Sequence, residues 1–397
     1  MTAVTDDRKA MRNAFVLAVA QALYGSTTTA LVATAGLVGS QLAPNPFWAT
    51  MPMTAMIIGT ATTTYPQSLM MRRIGRRAGF ILAALVGALG SLTGVAAIFT
   101  RNFELMLLGS FLMGVYQASS SYYRFAAADL ASPSFRPKAI SWVMTGGVVA
   151  ALLGTMMVMY TVDWFAPVTF AGTWAAMAVL ALLAMLVLTL VDIPKQDAGV
   201  TASGRPLGQI ASQPSYIVAA GVAMMSYGIM VLVMTATPVA MLGCGFTVRD
   251  SSWVIQWHAL AMFVPSFFTG MLISRFGAER IAMFGMGLLV LAAVSGLMGI
   301  RFENFAVGLI LLGIGWNFGF IGGTTLLTNT YEPLERNKAQ GLNDLLVFGT
   351  TTITSLSAGA LLAGAGWNAV NWAVLPLAAI GVALIVWLWR RPKLTAA

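Results

Sequence analysis

Residues 133–139 read PSFRPKA and residues 333–339 read PLERNKA. Pro133, Arg136, Lys138 and Ala139 therefore recur 200 positions later as Pro333, Arg336, Lys338 and Ala339. Other pieces return at offsets of 200 to 203: Tyr24-Gly25 as Tyr227-Gly228, Arg73-Ile-Gly75 as Arg275-Phe-Gly277, and Arg101-Asn-Phe-Glu, loosely, as Arg301-Phe-Glu. In a chain of 397 residues such a period means one half written twice.

Composition says what the half is. Hydrophobic residues make up 58% of the chain and charged ones 9%, against about 25% charged in soluble proteins. Apolar runs of roughly 20 residues recur throughout, the length an α-helix needs to cross a bilayer. They are continuous and rich in Leu, Ala, Met and Gly, without the alternation of a strand barrel. Helices are predicted at 13–38, 46–71, 79–99, 103–128, 138–161 and 166–191, then at 214–241, 250–274, 279–299, 303–330, 337–364 and 367–390. Between the sets lies the polar segment Asp192–Gln213, a linker by its Pro, Gly, Ser and Thr content. The expected fold is an all-α membrane protein of twelve transmembrane helices, with six-helix bundles at 1–191 and 214–397 joined by 192–213. An even count puts both halves the same way up, related by a pseudo-two-fold axis along the membrane normal.

Lys and Arg orient it. With the N-terminus inside, 19 of the 22 fall on the inner side, and only Arg101, Arg249 and Arg301 on the outer. Both termini are then cytoplasmic, in a multi-pass protein of the cell (inner) membrane. The first apolar run is too long for a signal peptide and no cleavage site follows, so an uncleaved first helix is expected. The net charge of +9 is thus a topology signal and not a nucleic-acid surface. Cys244 is the only cysteine, so no internal disulfide forms. There is no HExxH, CxxC, GxSxG or Walker loop. Neither an enzyme nor a metal or cofactor site is expected, and the partners reduce to the bilayer and a small-molecule substrate, with the protein acting as a monomer.

The loop residues resemble the major facilitator superfamily, whose signature between helices 2 and 3 has the form G-x-L-a-D-R-x-G-R-R, with a weaker copy between helices 8 and 9. The first copy runs from Ser68 to Arg77 and matches at Gly75, Arg76 and Arg77; the second matches at Gly270, Leu272, Arg275 and Gly277. The family's Asp, which helps lock the halves together on the inner side, is replaced by Arg72 and Ser274. A substitute pair is available in Asp129 and Arg136, and Arg336 and Asn343 join the expected gating set. Ser110 stands where the family's drug-efflux branches place an Arg, and the helix 5 Gly-Pro motif is reduced to Gly154-Thr155. Runs such as Tyr123-Arg-Phe-Ala-Ala127, Gly315-Trp-Asn-Phe318 and Gln340-Gly-Leu-Asn-Asp344 are similar to a bacterial group that includes riboflavin transporters.

Polar groups at membrane depth are costly and usually face the bundle interior or a watery cavity. Gln21 and Tyr24 in helix 1, Tyr116 and Gln117 in helix 4, Tyr227 in helix 7, and Trp316, Asn317 and Phe320 in helix 10 lie on helices that line the central cavity in the family. They are the expected substrate residues; the alternative for each is packing. Asp344 is the only carboxylate well inside a predicted span and His258 the only histidine, so both are candidates for proton coupling. The alternatives are an inner gate built with Asn343 and a hydrogen-bonded packing histidine. Arg124 is expected at the inner surface, snorkelling toward lipid phosphates. Flat rings and amides without a mid-depth Arg suit a planar, largely uncharged organic solute. The reading is a secondary transporter, proton-coupled, with a flavin-like molecule as the narrowest expectation. A multidrug or metabolite exporter is the first alternative, and a non-transporting receptor or assembly factor on the same fold the second.

Overall fold

A computed structural model describes residues 7–128, 131–132, 135–193, 204–332 and 335–391. Asp129 and the side chains of Arg72, Arg136 and Arg336 lie outside the described residues, so the substitute charge pair has no structural account. No strand occurs among the described residues. The chain divides into two compact units, residues 1–199 with 247–256, and residues 200–246 with 257–397.

The first unit contains α1 (Asp7–Leu42), α2 (Met51–Ile74), α3 (Arg76–Thr100), α4 (Phe103–Ser120), α5 (Tyr123–Ala128), α6 (Arg136–Thr161) and α7 (Ala171–Leu188). From the linker onward come α8 (Leu207–Ala211), α9 (Pro214–Gly243), α10 (Val248–Phe263), α11 (Ser266–Phe276), α12 (Ala278–Leu297), α13 (Phe302–Thr328) and α14 (Arg336–Trp389). Among the described residues eight helices qualify as spans by length and apolarity, or nine with the bent α10–α11 pair. Splitting α14 at Gly366 and adding α2 and α4, whose Thr, Ser and Gln lower their hydropathy, completes the twelve.

Four predicted helices differ in outline, at three places. Helix 4 stops at Ser120 and resumes at Tyr123. The Ser120 and Ser121 hydroxyls donate to the carbonyls of Gln117 (2.8 Å) and Ala118 (2.7 Å), competing with the helical ladder at that point. Helix 8 bends by 42° between α10 and α11. Pro265, at the break, has no N–H to continue the ladder. Helices 11 and 12 are joined only by Gly366, whose φ of 77° and ψ of −173° interrupt α14 in a region essentially reserved for glycine.

The duplication persists in the backbone. Gly75 ends α2 at φ 90°, ψ 155°, and Gly277 ends α11 at φ 88°, ψ 148°. That shared torsion explains the glycine in both loop motifs. In the first unit α1 lies against α6, and in the second α9 lies against α14. The seats correspond: a Cβ on Gly25 would fall 2.5 Å from that of Ala150, and one on Gly228 would fall 2.9 Å from Cγ2 of Thr350. Small residues are what let membrane helices approach this closely.

Candidate functional site

The aromatic residues occupy repeat-related positions in the two units. Tyr24 and Tyr116 meet edge to face at 5.0 Å and 78°. Tyr227 and Trp316, displaced by 203 and 200 positions, meet at 5.5 Å and 83°. The pairs then diverge. Tyr116 is fully buried against α3, where a Cβ on Gly87 would come within 2.3 Å of its ring. Tyr24 is also buried in the same core cluster, so both rings pack the first unit in this structure.

The second unit adds a third ring. Phe320 stacks on Trp316 at 5.2 Å and 12°, while Tyr227 stands edge-on to it at 5.1 Å and 80°. At the position of Phe320 the first unit has Ser120. Tyr227 and Phe320 remain half-buried, whereas Trp316 is 9% exposed. Its Nε1 is buried and has no hydrogen-bond partner among the described residues. In the first unit Gln21 is half-buried on α1, and Gln117 holds a buried Oε1 likewise unpartnered among the described residues.

Asn317 is satisfied by partners within its own unit. It is fully buried, and its Nδ2 donates to the Met262 carbonyl and to Ser266 Oγ, both at 2.7 Å. Its Oδ1 accepts from Thr269 Oγ1 at 2.6 Å. All three partners flank the Pro265 break, so the amide serves as a cap for a broken helix. The physical reason is the missing Pro265 N–H and the bend it allows, which leave backbone groups needing a partner at membrane depth.

His258 sits higher on the same seam, fully buried, with Nδ1 2.8 Å from the Leu309 carbonyl. A carbonyl can only accept, so Nδ1 carries a proton. The imidazole thereby ties α10 to α13 through Nδ1, while its Nε2 is buried without a partner among the described residues. Gly313, between the two ties, comes so near that an added Cβ would lie 2.7 Å from the His258 carbonyl oxygen. Asp344 is exposed on α14, and Asn343 beside it donates Nδ2 to Asp344 Oδ1 at 3.3 Å.

Of the expected gating residues, Arg77, Gly270, Arg275 and Gly277 are exposed, while Gly75 and Arg76 are half-buried. Arg275 rests on the Phe276 ring at 5.3 Å. Arg124 is exposed, its guanidinium 4.8 Å from the centre of the Phe125 ring. An open cleft of about 320 Å³ is lined by residues 276–280 with Leu326 and Asn329; no expected substrate residue borders it.

The sequence reading missed a carboxylate hub. Glu335 accepts from the backbone N (2.8 Å), Nε (2.8 Å) and Nη2 (2.6 Å) of Arg205 and from the Glu332 N–H (3.0 Å). Its side chain is 2% exposed. The Arg205 guanidinium holds the carboxyl down at about 2, and Glu335 in turn raises Arg205. The first unit makes a parallel tie, with Asp7 accepting from Ser132 N and Oγ, both at 2.9 Å. In each unit the segment at or before its first long helix grips the loop after its fourth span. The repeat PSFRPKA/PLERNKA marked that loop, but the carboxylates at positions 7 and 335 are not repeat mates and carried no signal.

Six-span halves built on a shared motif turn, with apolar helices throughout, define a membrane transporter fold. The sequence matches the family model of the Major Facilitator Superfamily over residues 17–251 and 217–397, and the chain belongs to that family. It is a multi-pass membrane transporter of a small molecule and not an enzyme. The riboflavin transporter RfnT of Brucella anthropi is 43% identical over 99% of this chain and 100% of its own length. The uncharacterised MFS-type transporter YdeG of Bacillus subtilis is 26% identical over 95% of this chain and 91% of its own. Among solved structures the nucleoside transporter NupG superposes with a TM-score of 0.73, covering 97% of this chain and 100% of its own at 13% identity, a likeness of fold.

Proposed function

We propose that the chain carries riboflavin, or a planar heterocycle of that kind, across the inner membrane by proton-coupled alternating access. The observation behind this reading is the 43% identity to a riboflavin transporter over essentially the whole of both chains. The stacked and edge-on rings of Tyr227, Trp316 and Phe320 agree with a flat substrate. In this reading residues 1–191 and 214–397 move against one another through the linker 192–213, as a monomer with both termini in the cytoplasm. Asp344 takes and releases the coupling proton, and the Gly75 and Gly277 turns with their neighbouring arginines shape the inner gate.

Counterflow tests it. Proteoliposomes preloaded with unlabelled riboflavin should accumulate labelled riboflavin transiently from outside. Binding without exchange would make the protein a receptor, and exchange of unrelated amphipathic drugs in place of riboflavin would make it an exporter.

A further inference from the structure

The three-ring cluster of the second unit holds a polar atom with nothing to do. Phe320 covers one face of the Trp316 indole, and Tyr227 abuts both rings, so the orientation of the indole is fixed from two sides. The residue is 9% exposed, and its Nε1–H lies buried without an acceptor among the described residues. Stranding a donor in this way costs roughly 1–3 kcal/mol; the Trp174 Nε1 and the Tyr116 hydroxyl are likewise buried without a partner among the described residues, but in side chains with no exposed surface, whereas Trp316 keeps some. Contrast Trp367, the buried indole of α14, whose Nε1 donates to the Gly296 carbonyl at 3.1 Å. Contrast too the repeat position in the first unit, where Tyr116 is sealed into the core with no exposed surface. The half-buried edges of Tyr227 and Phe320 leave the second-unit cluster, and not the first, open to a ligand.

We infer that the Trp316 Nε1–H is the specificity donor of the substrate site, hydrogen-bonded to a neutral acceptor, a ring carbonyl or imine nitrogen, on the edge of a flat heterocycle. The inference deepens the flavin reading and rests on it. An indole N–H lies in the ring plane, so the acceptor must arrive at the edge of Trp316; Phe320 and Tyr227 are the positioning residues that hold that edge. A polar site rejects analogues that cannot satisfy its buried groups, so an unmet donor in the free protein is a selectivity device. Acyclic or purely hydrocarbon solutes of the same size would leave it unmet.

Trp316→Phe is the test, because it keeps an aromatic ring while removing the donor and the fused pyrrole ring. Purified wild type and variant are titrated with riboflavin, reading flavin fluorescence, and their melting temperatures are measured with and without it. The expected result is affinity roughly tenfold weaker, with only the modest fall in unliganded melting temperature that the lost ring packing against Phe320 and Tyr227 brings. A merely structural tryptophan would melt earlier with riboflavin affinity on the folded protein unchanged. If wild type binds riboflavin and the variant binds it equally well, the assignment of Nε1 is overturned and the transport reading stands. If wild type itself does not bind riboflavin, the flavin reading falls and takes this assignment with it. Trp316→Tyr, which restores a donor at a different position, guards against a folding artefact: a well-folded variant with wild-type affinity would also overturn the geometry.

Discussion

Replacing Asn317 separates a ligand contact from a helix cap. Asn317→Ala removes three hydrogen bonds, two donated by Nδ2 and one accepted by Oδ1, from a fully buried site. Side-chain hydrogen bonds in membranes average about 0.6 kcal/mol, so three give a floor near 2 kcal/mol. Thr269 retains an acceptor in the Pro265 carbonyl at 2.8 Å. The Met262 carbonyl loses the Asn317 donor, and an abandoned buried acceptor costs about 1–3 kcal/mol. The total is then roughly 2–4 kcal/mol, and at 2–4 °C per kcal/mol for a unit of this size the melting temperature should drop by about 5–15 °C. Ser266→Ala, which deletes one acceptor and leaves the Met262 bond, should cost under about 1 kcal/mol. The assay is thermal unfolding in detergent with riboflavin affinity measured on the folded fraction. A variant that melts like wild type but binds riboflavin weakly would refute the cap and restore Asn317 to the substrate site.

Gly75→Ala and Gly277→Ala probe the duplicated turn: both have space for a methyl, so the cost is torsional alone, about 1–3 kcal/mol each, and unchanged melting in both would sink the argument. Glu335 gives an acid-sensitive tie. Its folded value, near 2, lies below the ordinary 4.5, so its stabilisation is present above the ordinary value and fades as pH falls toward 2. Glu335→Gln should therefore lower stability at pH 6 and flatten its dependence below pH 5; a parallel decline in wild type and variant would contradict the assignment. Asp344→Asn should abolish pH-driven riboflavin uptake while sparing exchange in counterflow, and survival of both would make Asp344 structural.

How far the sequence carried depends on what each signal measures. A repeat reports the register of whole helices, so PSFRPKA/PLERNKA anticipated two sets of six, and the same offsets reappear in Gly75 with Gly277 and in Tyr24·Tyr116 with Tyr227·Trp316. Scarcity of polar residues reports only that a group must be satisfied, never by what. Asn317 and Trp316 are neighbours on α13 and looked alike as candidates, yet the amide is fully employed across 48 to 55 residues of chain while the indole N–H is idle. Pairing at that separation has no local signature. Proline shows the same limit. The helices run on through Pro66, Pro238 and Pro376, whereas at Pro265 one breaks. At the Pro265 break an amide on another helix, at position 317, takes up the Met262 carbonyl, and beside Pro66 the Tyr122 hydroxyl donates to the Thr64 carbonyl at 3.1 Å. A proline kink in a membrane is tolerated where a neighbour re-satisfies the backbone. The polar residue opposite a kink should therefore be suspected as its cap before it is assigned to a ligand.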